Sequence, residues 1–317
     1  MKKFILNLFL FFAPVIIFSV LFDTLITNSL KKSKAKDYVV WNDLVQGKIN
    51  SEILVYGTSR ARAHINPKIL EDSLHSSVYN LGIDGYTFNM EYCRHELVMN
   101  YNAKPKYIIQ TLDYHMLGKI ENLYQYEQFY PYIDNPIILS TIKKYNGFNW
   151  FDYNLPLVRY YGSTKQIISA ANILFRSSHN KGNRYKGFHN MDINWTGDFE
   201  KVKAKNIYIY QTIENESLRL FEGYLKDMQM RNIKVIFVYT PEYIEGQRFV
   251  ANRDEIMNLY NKISIKYEIP LLDYSSNSIC LKKQYFLNAE HLNLKGSNLF
   301  SKMLAVDLKK YIKLDKS

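Results

Sequence analysis

From Ser51 onward, short apolar runs alternate with stretches of helical spacing, and this alternation most constrains the fold. Ile53–Tyr56 is apolar and runs into Gly57, which reads as a strand entering a tight turn. Residues 77–80, closed by Leu81-Gly82, read the same way. So do Tyr107–Leu112 after Lys104-Pro105, 235–239 ahead of Thr240-Pro241, and 270–273. Asn66-Pro67 suits a helix start, with Asn66 as cap and Pro67 in the first turn. Residues 87–101 and 251–267 are helical in spacing, and 294–312 form a closing helix. About five strands alternating with helices predict an α/β fold whose parallel sheet is covered on both faces.

Residues 117–202 break the alternation and read as a mostly helical insertion at the carboxyl edge of the sheet. A tyrosine-rich stretch, 124–132, leads into helix-like pieces near 136–145 and 156–176 and then a polar loop, 177–197. Two uses of its aromatics stay open. Exposed tyrosines, Trp150 or Trp195 could stack on sugars, or the rings could form the insertion's own core.

Ahead of all this, residues 4–22 are 19 positions without a charge. At 1.5 Å per residue such a helix just spans a hydrocarbon core of roughly 30 Å. Lys2 and Lys3 precede it, and no Ala-x-Ala-like cleavage site comes after it. The expected organisation is an uncleaved signal anchor at 1–28, a polar stalk at 29–50 and a folded domain at 51–317. Lys31, Lys32, Lys34 and Lys36 argue against the usual direction. An N-terminal span nevertheless ordinarily exports the rest of its chain, so the domain is expected outside the cytoplasm, as a single-pass membrane protein.

The formal charge of +11 raises the question of nucleic acid, but the lysines are scattered and no zinc-finger or basic-helix pattern accompanies them. Nucleic acid is therefore not expected as a partner. The two cysteines, Cys93 and Cys280, fit no metal signature and read as buried thiols. No His/Cys/Asp/Glu cluster has metal-ligand spacing, so neither a metal nor a cofactor is expected.

Chemistry concentrates in two segments far apart in sequence. Gly57-Thr58-Ser59-Arg60 comes directly after the first strand, which places Ser59 where open α/β sheets bind ligands. His291-Leu292-Asn293 opens the last helix. A serine early and a histidine late can meet over the sheet as nucleophile and base. With Asn80-Leu81-Gly82 closing the second strand, Thr240-Pro241 ending a later one, Asp273 ending another and Gly296 in the last helix, the set resembles the SGNH/GDSL hydrolase superfamily. In particular it resembles the membrane-anchored, extracytoplasmic branch of DltD-like and alginate-acetylation-type proteins involved in acylating cell-envelope polymers.

The resemblance covers about residues 51–313 and implies a three-layer flavodoxin-like sheet. It implies Ser59 as nucleophile, His291 as general base, and the N–H groups of Ser59 and Gly82 as an oxyanion hole. Two positions depart from the pattern. Asn288 stands three residues before His291, where the family carries Asp. Asn can orient an imidazole but lacks the charge that stabilises imidazolium. Asp113-Tyr114-His115 replaces the third-block asparagine donor. A carboxylate there would repel an oxyanion, so Asp113 is expected to be turned away or hydrogen-bonded, with His115 as a substitute donor. A carboxylate from elsewhere, such as Asp84 or Asp113, could make up for Asn288. Arg60 and Arg62 could each hold an anionic substrate group or a salt-bridged turn. Histidines 64, 75, 95, 179 and 189 read as surface or satisfied core residues.

The function implied is a serine esterase or O-acyltransferase, O-acetyl above all, acting on a cell-envelope or exported polysaccharide, with a membrane acyl-transporting protein as partner if the reaction is transfer. The alternative is a catalytically impaired relative that binds glycan or assembles a polysaccharide-modification complex.

Overall fold

The computed structural model describes residues 1–35, 37–176, 184–189 and 192–312. In chain order, α1 (Lys2–Leu30) and α2 (Tyr38–Val45) precede β1 (Ile53–Tyr56), α3 (Ser59–His64), α4 (Pro67–Leu74), β2 (Val78–Asn80), α5 (Phe88–Tyr101) and β3 (Tyr107–Leu112). Next come α6 (Pro136–Ile142), α7 (Trp150–Asn154), α8 (Thr164–Arg176), α9 (Asp198–Lys205), α10 (Asn215–Met230) and β4 (Lys234–Tyr239). The chain closes with α11 (Ile244–Gln247), α12 (Arg253–Lys266), β5 (Leu271–Asp273) and α13 (Leu294–Leu308). Two compact units result, one from Met1–Asn42 with Glu121–Asn183 and one from Asp43–Ile120 with Arg184–Ser317.

The second unit is an α/β fold on five parallel strands in the order β2-β1-β3-β4-β5, the doubly wound order of flavodoxin. Side chains alternate across the sheet. Ile53, Val55, Ile109, Ile236 and Val238 pack with Leu70, Phe300 and Leu304 from α4 and α13. On the other face Tyr56 meets Tyr224, and Phe237 stacks on Phe221, both from α10. The central strands β1 and β3 are buried on both faces along their whole length, which explains their nearly unbroken apolar runs. The strand order reverses at β1, so the crevice between the carboxyl ends of β1 and β3 is where such a sheet receives ligands.

The five expected strands and the helices after residues 66, 87, 251 and 294 are all present. Helix α10 adds an element that was not expected. Its buried Ser217, Phe221, Tyr224, Leu225 and Met228 recur at helical spacing, a signal that was there to be read.

The first unit holds α1, a helix long and apolar enough to cross a membrane. The segment expected as a polar stalk is instead folded. Trp41 is fully buried, its Nε1–H donates to Gln128 at 2.9 Å, and its ring lies edge-on to Phe129. The apolar face of α2, absent from any solvated linker, is the reason. The second segment of this unit starts at Glu121 and ends at Asn183, inside the expected 117–202. Its Phe129, Tyr130, Tyr132 and Tyr160 are buried and form its own core, while Trp150 and Tyr161 stay exposed. Trp195 belongs to the other unit, packed against Tyr243 under the ammonium of Lys283. Much of the expected polar loop 177–197, with His179, lies outside the described residues.

Candidate active site

Strand β1 delivers the chain into Gly57, whose φ of 141° lies in the region that favours glycine. A Cβ there would also overlap the Thr111 hydroxyl on β3. Thr58 then caps α3, its Oγ1 accepting the Arg60 N–H at 3.4 Å. Ser59 is the first residue of this helix and is buried near the floor of the crevice. Its N–H has no partner among the described residues, as expected for a first-turn donor.

The histidine comes from the turn before α13. His291 Nε2 lies 2.8 Å from Ser59 Oγ, across 232 residues of chain. His291 Nδ1 lies 3.1 Å from Asn288 Oδ1. That oxygen also accepts the backbone N–H groups of Glu290 at 3.0 Å and His291 at 2.9 Å. Two backbone donors aimed at one atom identify it as the amide oxygen, because the amide nitrogen cannot accept them. The proton of the neutral imidazole therefore sits on Nδ1, and Nε2 turns its lone pair to the serine. Asn288 thus does the orienting work of a carboxylate without its charge.

The ring is poised as a neutral base. Burial lowers its pKa; the fields of Glu290 and Asp84 oppose this, those of Arg60 and Arg62 add to it, and the net position is below the ordinary histidine value. Neither Asp84 nor Asp113 reaches Nδ1, so neither stands in for the missing carboxylate. Asp84 pairs with Arg62 at 2.9 Å, and Glu290 accepts the Tyr114 hydroxyl at 2.5 Å.

Arg60 is not available to a substrate. It is 1% exposed, its Nη1 lies 2.8 Å from Glu242 and 2.9 Å from Asp113, and its Nε–H donates to Thr240 Oγ1 at 3.1 Å. The guanidinium also covers the Tyr239 ring at 4.8 Å. Of the two roles open for Arg60, the structure selects the salt bridge. The same pairing accounts for Asp113. Burial alone would raise its carboxyl, but Arg60, His115 and the Thr58 hydroxyl hold it below the ordinary aspartate value. It is a buried counter-ion turned to Arg60. Arg62 is largely covered and tied to Asp84. His115 is half-buried, stands edge-on to Tyr114, and makes no contact with Ser59 or His291 among the described residues.

Gly82 corrects an expectation. Its N–H donates to Asn80 Oδ1 at 2.9 Å and so is not held ready for an oxyanion. The glycine is needed for another reason: a Cβ would overlap the Arg62 backbone nitrogen on α3. Asn80 completes the brace, its amide donating to the carbonyls of Ala61 at 2.7 Å and Ile65 at 2.8 Å. Asn80-Leu81-Gly82 fixes the helix that carries Ser59.

His64 adds a positioning residue that no local sequence signal marks. Its Nε2 accepts the Leu292 N–H at 3.0 Å, which leaves the Nδ1–H to donate to Thr240 Oγ1 at 2.9 Å. Burial, then the Arg60 and His291 fields, hold His64 neutral, well below the ordinary histidine pKa. It ties the residue after His291 to the end of the helix begun by Ser59. Cys93 and Cys280 are both buried, as expected.

No family model matches the chain, and no curated protein matches it. Among solved structures it is similar to one described as a lipolytic protein of the G-D-S-L family from Desulfitobacterium hafniense, at 12% identity and a TM-score of 0.39, covering 81% of this chain and 99% of that one. A protein from Streptococcus pneumonia described as a platelet activating factor gives 12% identity and 0.39, covering 90% of each chain. A protein from Bacteroides fragilis described as an acylhydrolase gives 13% identity and 0.35, covering 82% of this chain and 88% of that one.

Proposed function

We propose that this chain is an SGNH-type serine esterase or O-acyltransferase, anchored by α1 with its catalytic unit outside the cytoplasm, acting on acyl esters of a cell-envelope or exported polysaccharide. One observation carries the reading: Ser59 Oγ is 2.8 Å from a histidine nitrogen whose lone pair is directed at it. His291 takes the serine proton as Oγ attacks the ester carbonyl. The Ser59 N–H, at the start of α3, is a donor for the developing oxyanion. His291 then protonates the leaving alkoxide. Water, or a sugar hydroxyl in the transfer version, releases the acyl group by the same steps reversed. Transfer requires an acyl donor delivered from the membrane side, which a separate acyl-transporting protein would supply.

A second reading, a glycan-binding or assembly protein on the same fold, draws on Asn288 in place of a carboxylate and on Asp113 in place of a neutral donor. Intact-mass spectrometry of the full chain in detergent, after exposure to p-nitrophenyl acetate, separates the two. An acetyl adduct on the native protein and none on Ser59→Ala supports the enzyme. A folded native protein with neither adduct nor turnover favours the binding role. Full turnover by Ser59→Ala would overturn the mechanism.

A further inference from the structure

The first unit exposes large apolar side chains beside the helix read as a membrane span. Trp150 is 63% exposed, Tyr161 92% and Phe175 81%, with Phe151, Leu155 and Leu174 also exposed. Water is a poor neighbour for such a set.

Hydrogen bonds fix where residues 157–160, between Leu155 and Tyr161, sit relative to α1. Asp23 is the first charged residue after the apolar run. Its carboxylate accepts the Leu157 N–H at 2.8 Å and the Arg159 guanidinium at 2.5 Å. One turn later, Thr27 Oγ1 lies 2.7 Å from the Tyr160 hydroxyl. Residues 155–161 are thereby held at the level where the apolar stretch ends. Helix α8 packs along α1. Its beginning, Lys165 and Gln166, lines a cavity with Asp37 and Tyr38, beyond the end of α1. From there α8 runs back toward the apolar stretch, which brings Leu174 and Phe175 to its lower end. On α1 the covered positions Ser19, Asp23, Ile26 and Thr27 form one stripe at helical spacing, and Ala170 is buried on α8.

We infer that this unit rests in the lipid interface: the α7 region, Tyr161 and the carboxyl end of α8 form a collar around the exit point of α1, embedded among headgroups and upper acyl chains. Trp and Tyr at the boundary suit that layer, where one end of the ring is apolar and the other wet. A partly inserted amphipathic helix beside a span fits it as well. The inference rests on α1 being a membrane span.

The test uses the full chain in nanodiscs of phosphatidylcholine with a minority of phosphatidylglycerol. Tyr161→Cys and Phe175→Cys carry an environment-sensitive fluorophore. Both sites are exposed, so labelling does not disturb packing, and native Cys93 and Cys280 are buried. Ile16→Cys reports the span itself, and Val306→Cys, on the exposed side of α13, reports water. The expected result is quenching at 161 and 175 by nitroxide lipids, with iodide quenching reduced several-fold relative to 306. Label at 16 in lipid with 161 and 175 open to iodide would overturn the collar while leaving the span intact. All three open to iodide would overturn both. Protection from iodide without lipid quenching would mean that protein covers the patch, and would overturn the collar.

Discussion

His291 Nδ1 lies 3.1 Å from Asn288 Oδ1, an oxygen already held by two backbone N–H groups. The ring is therefore oriented by a neutral partner. Orientation and charge, which a catalytic carboxylate supplies together, are separated here. In a serine protease, exchanging that Asp for Asn costs about 10⁴ in turnover, mainly through the wrong tautomer. Here the two backbone donors fix the Nδ1–H tautomer, so under the proposed mechanism Asn288 lacks only the charge.

Asn288→Asp is accordingly expected to raise acyl-ester turnover by about 10- to 100-fold, well short of 10⁴. The pH profile supplies a second readout. A base must be deprotonated, so activity rises with pH through the His291 pKa, which burial sets below the ordinary value. A carboxylate at 288 favours imidazolium and raises that pKa, so the acid limb moves to higher pH. A profile unchanged in both height and position would show that residue 288 does not act on the base.

Arg60 is expected to matter for stability before it matters for substrate. Arg60→Met leaves Asp113 buried without its counter-ion and takes from Glu242 the nearer of its two, Arg253 lying 3.5 Å away, which costs about 3–5 kcal/mol. Denaturant unfolding of the native and variant chains in the same detergent measures the difference. A variant of native stability with weakened substrate binding would return Arg60 to the substrate.

Asn80→Asp keeps the shape of the brace but replaces a donor. The new oxygen would face the carbonyls of Ala61 and Ile65, with no proton to share at neutral pH. The expected loss is at least about 1–3 kcal/mol, together with reduced turnover because α3 carries Ser59. Thermal unfolding and turnover should fall together; loss of turnover at native stability would place Asn80 in the chemistry itself.

Glu91 predicts a pH dependence of stability. Burial, joined by the Asp113 field and opposed by Gln110 Nε2 at 2.9 Å and by Arg94, raises its carboxyl from 4.5 to about 8. Between those values the folded state holds a proton that the unfolded state releases. Stability is thus greatest on the acid side for this group and declines as pH rises toward 8. The decline is on the order of a few kcal/mol. Glu91→Gln should flatten that slope in melting curves taken at mildly acidic and mildly alkaline pH. An unaltered slope would assign it to other groups.

Much of the frame was legible because it is encoded between neighbours. Apolar runs of four to six residues ahead of Gly or Pro made strands, Asn66-Pro67 made a helix start, and nineteen uncharged positions made a long apolar helix. Ser59 and His291 could be named because strand and helix ends put chemistry at the carboxyl edge of a parallel sheet. The role of each neighbouring group was settled only by folding. Glu242 reaches Arg60 across 182 residues and turns a possible substrate arginine into a buried ion pair. Asn80 takes the Gly82 N–H and turns an expected oxyanion donor into a brace. Trp41 finds Gln128 and Phe129 and turns a stalk into a packed helix. The physical reason is common to all three. A local pattern specifies which backbone conformation a segment adopts, whereas a polar or aromatic side chain takes its role from the partner that satisfies it, and that partner is chosen by packing among residues far apart in the chain.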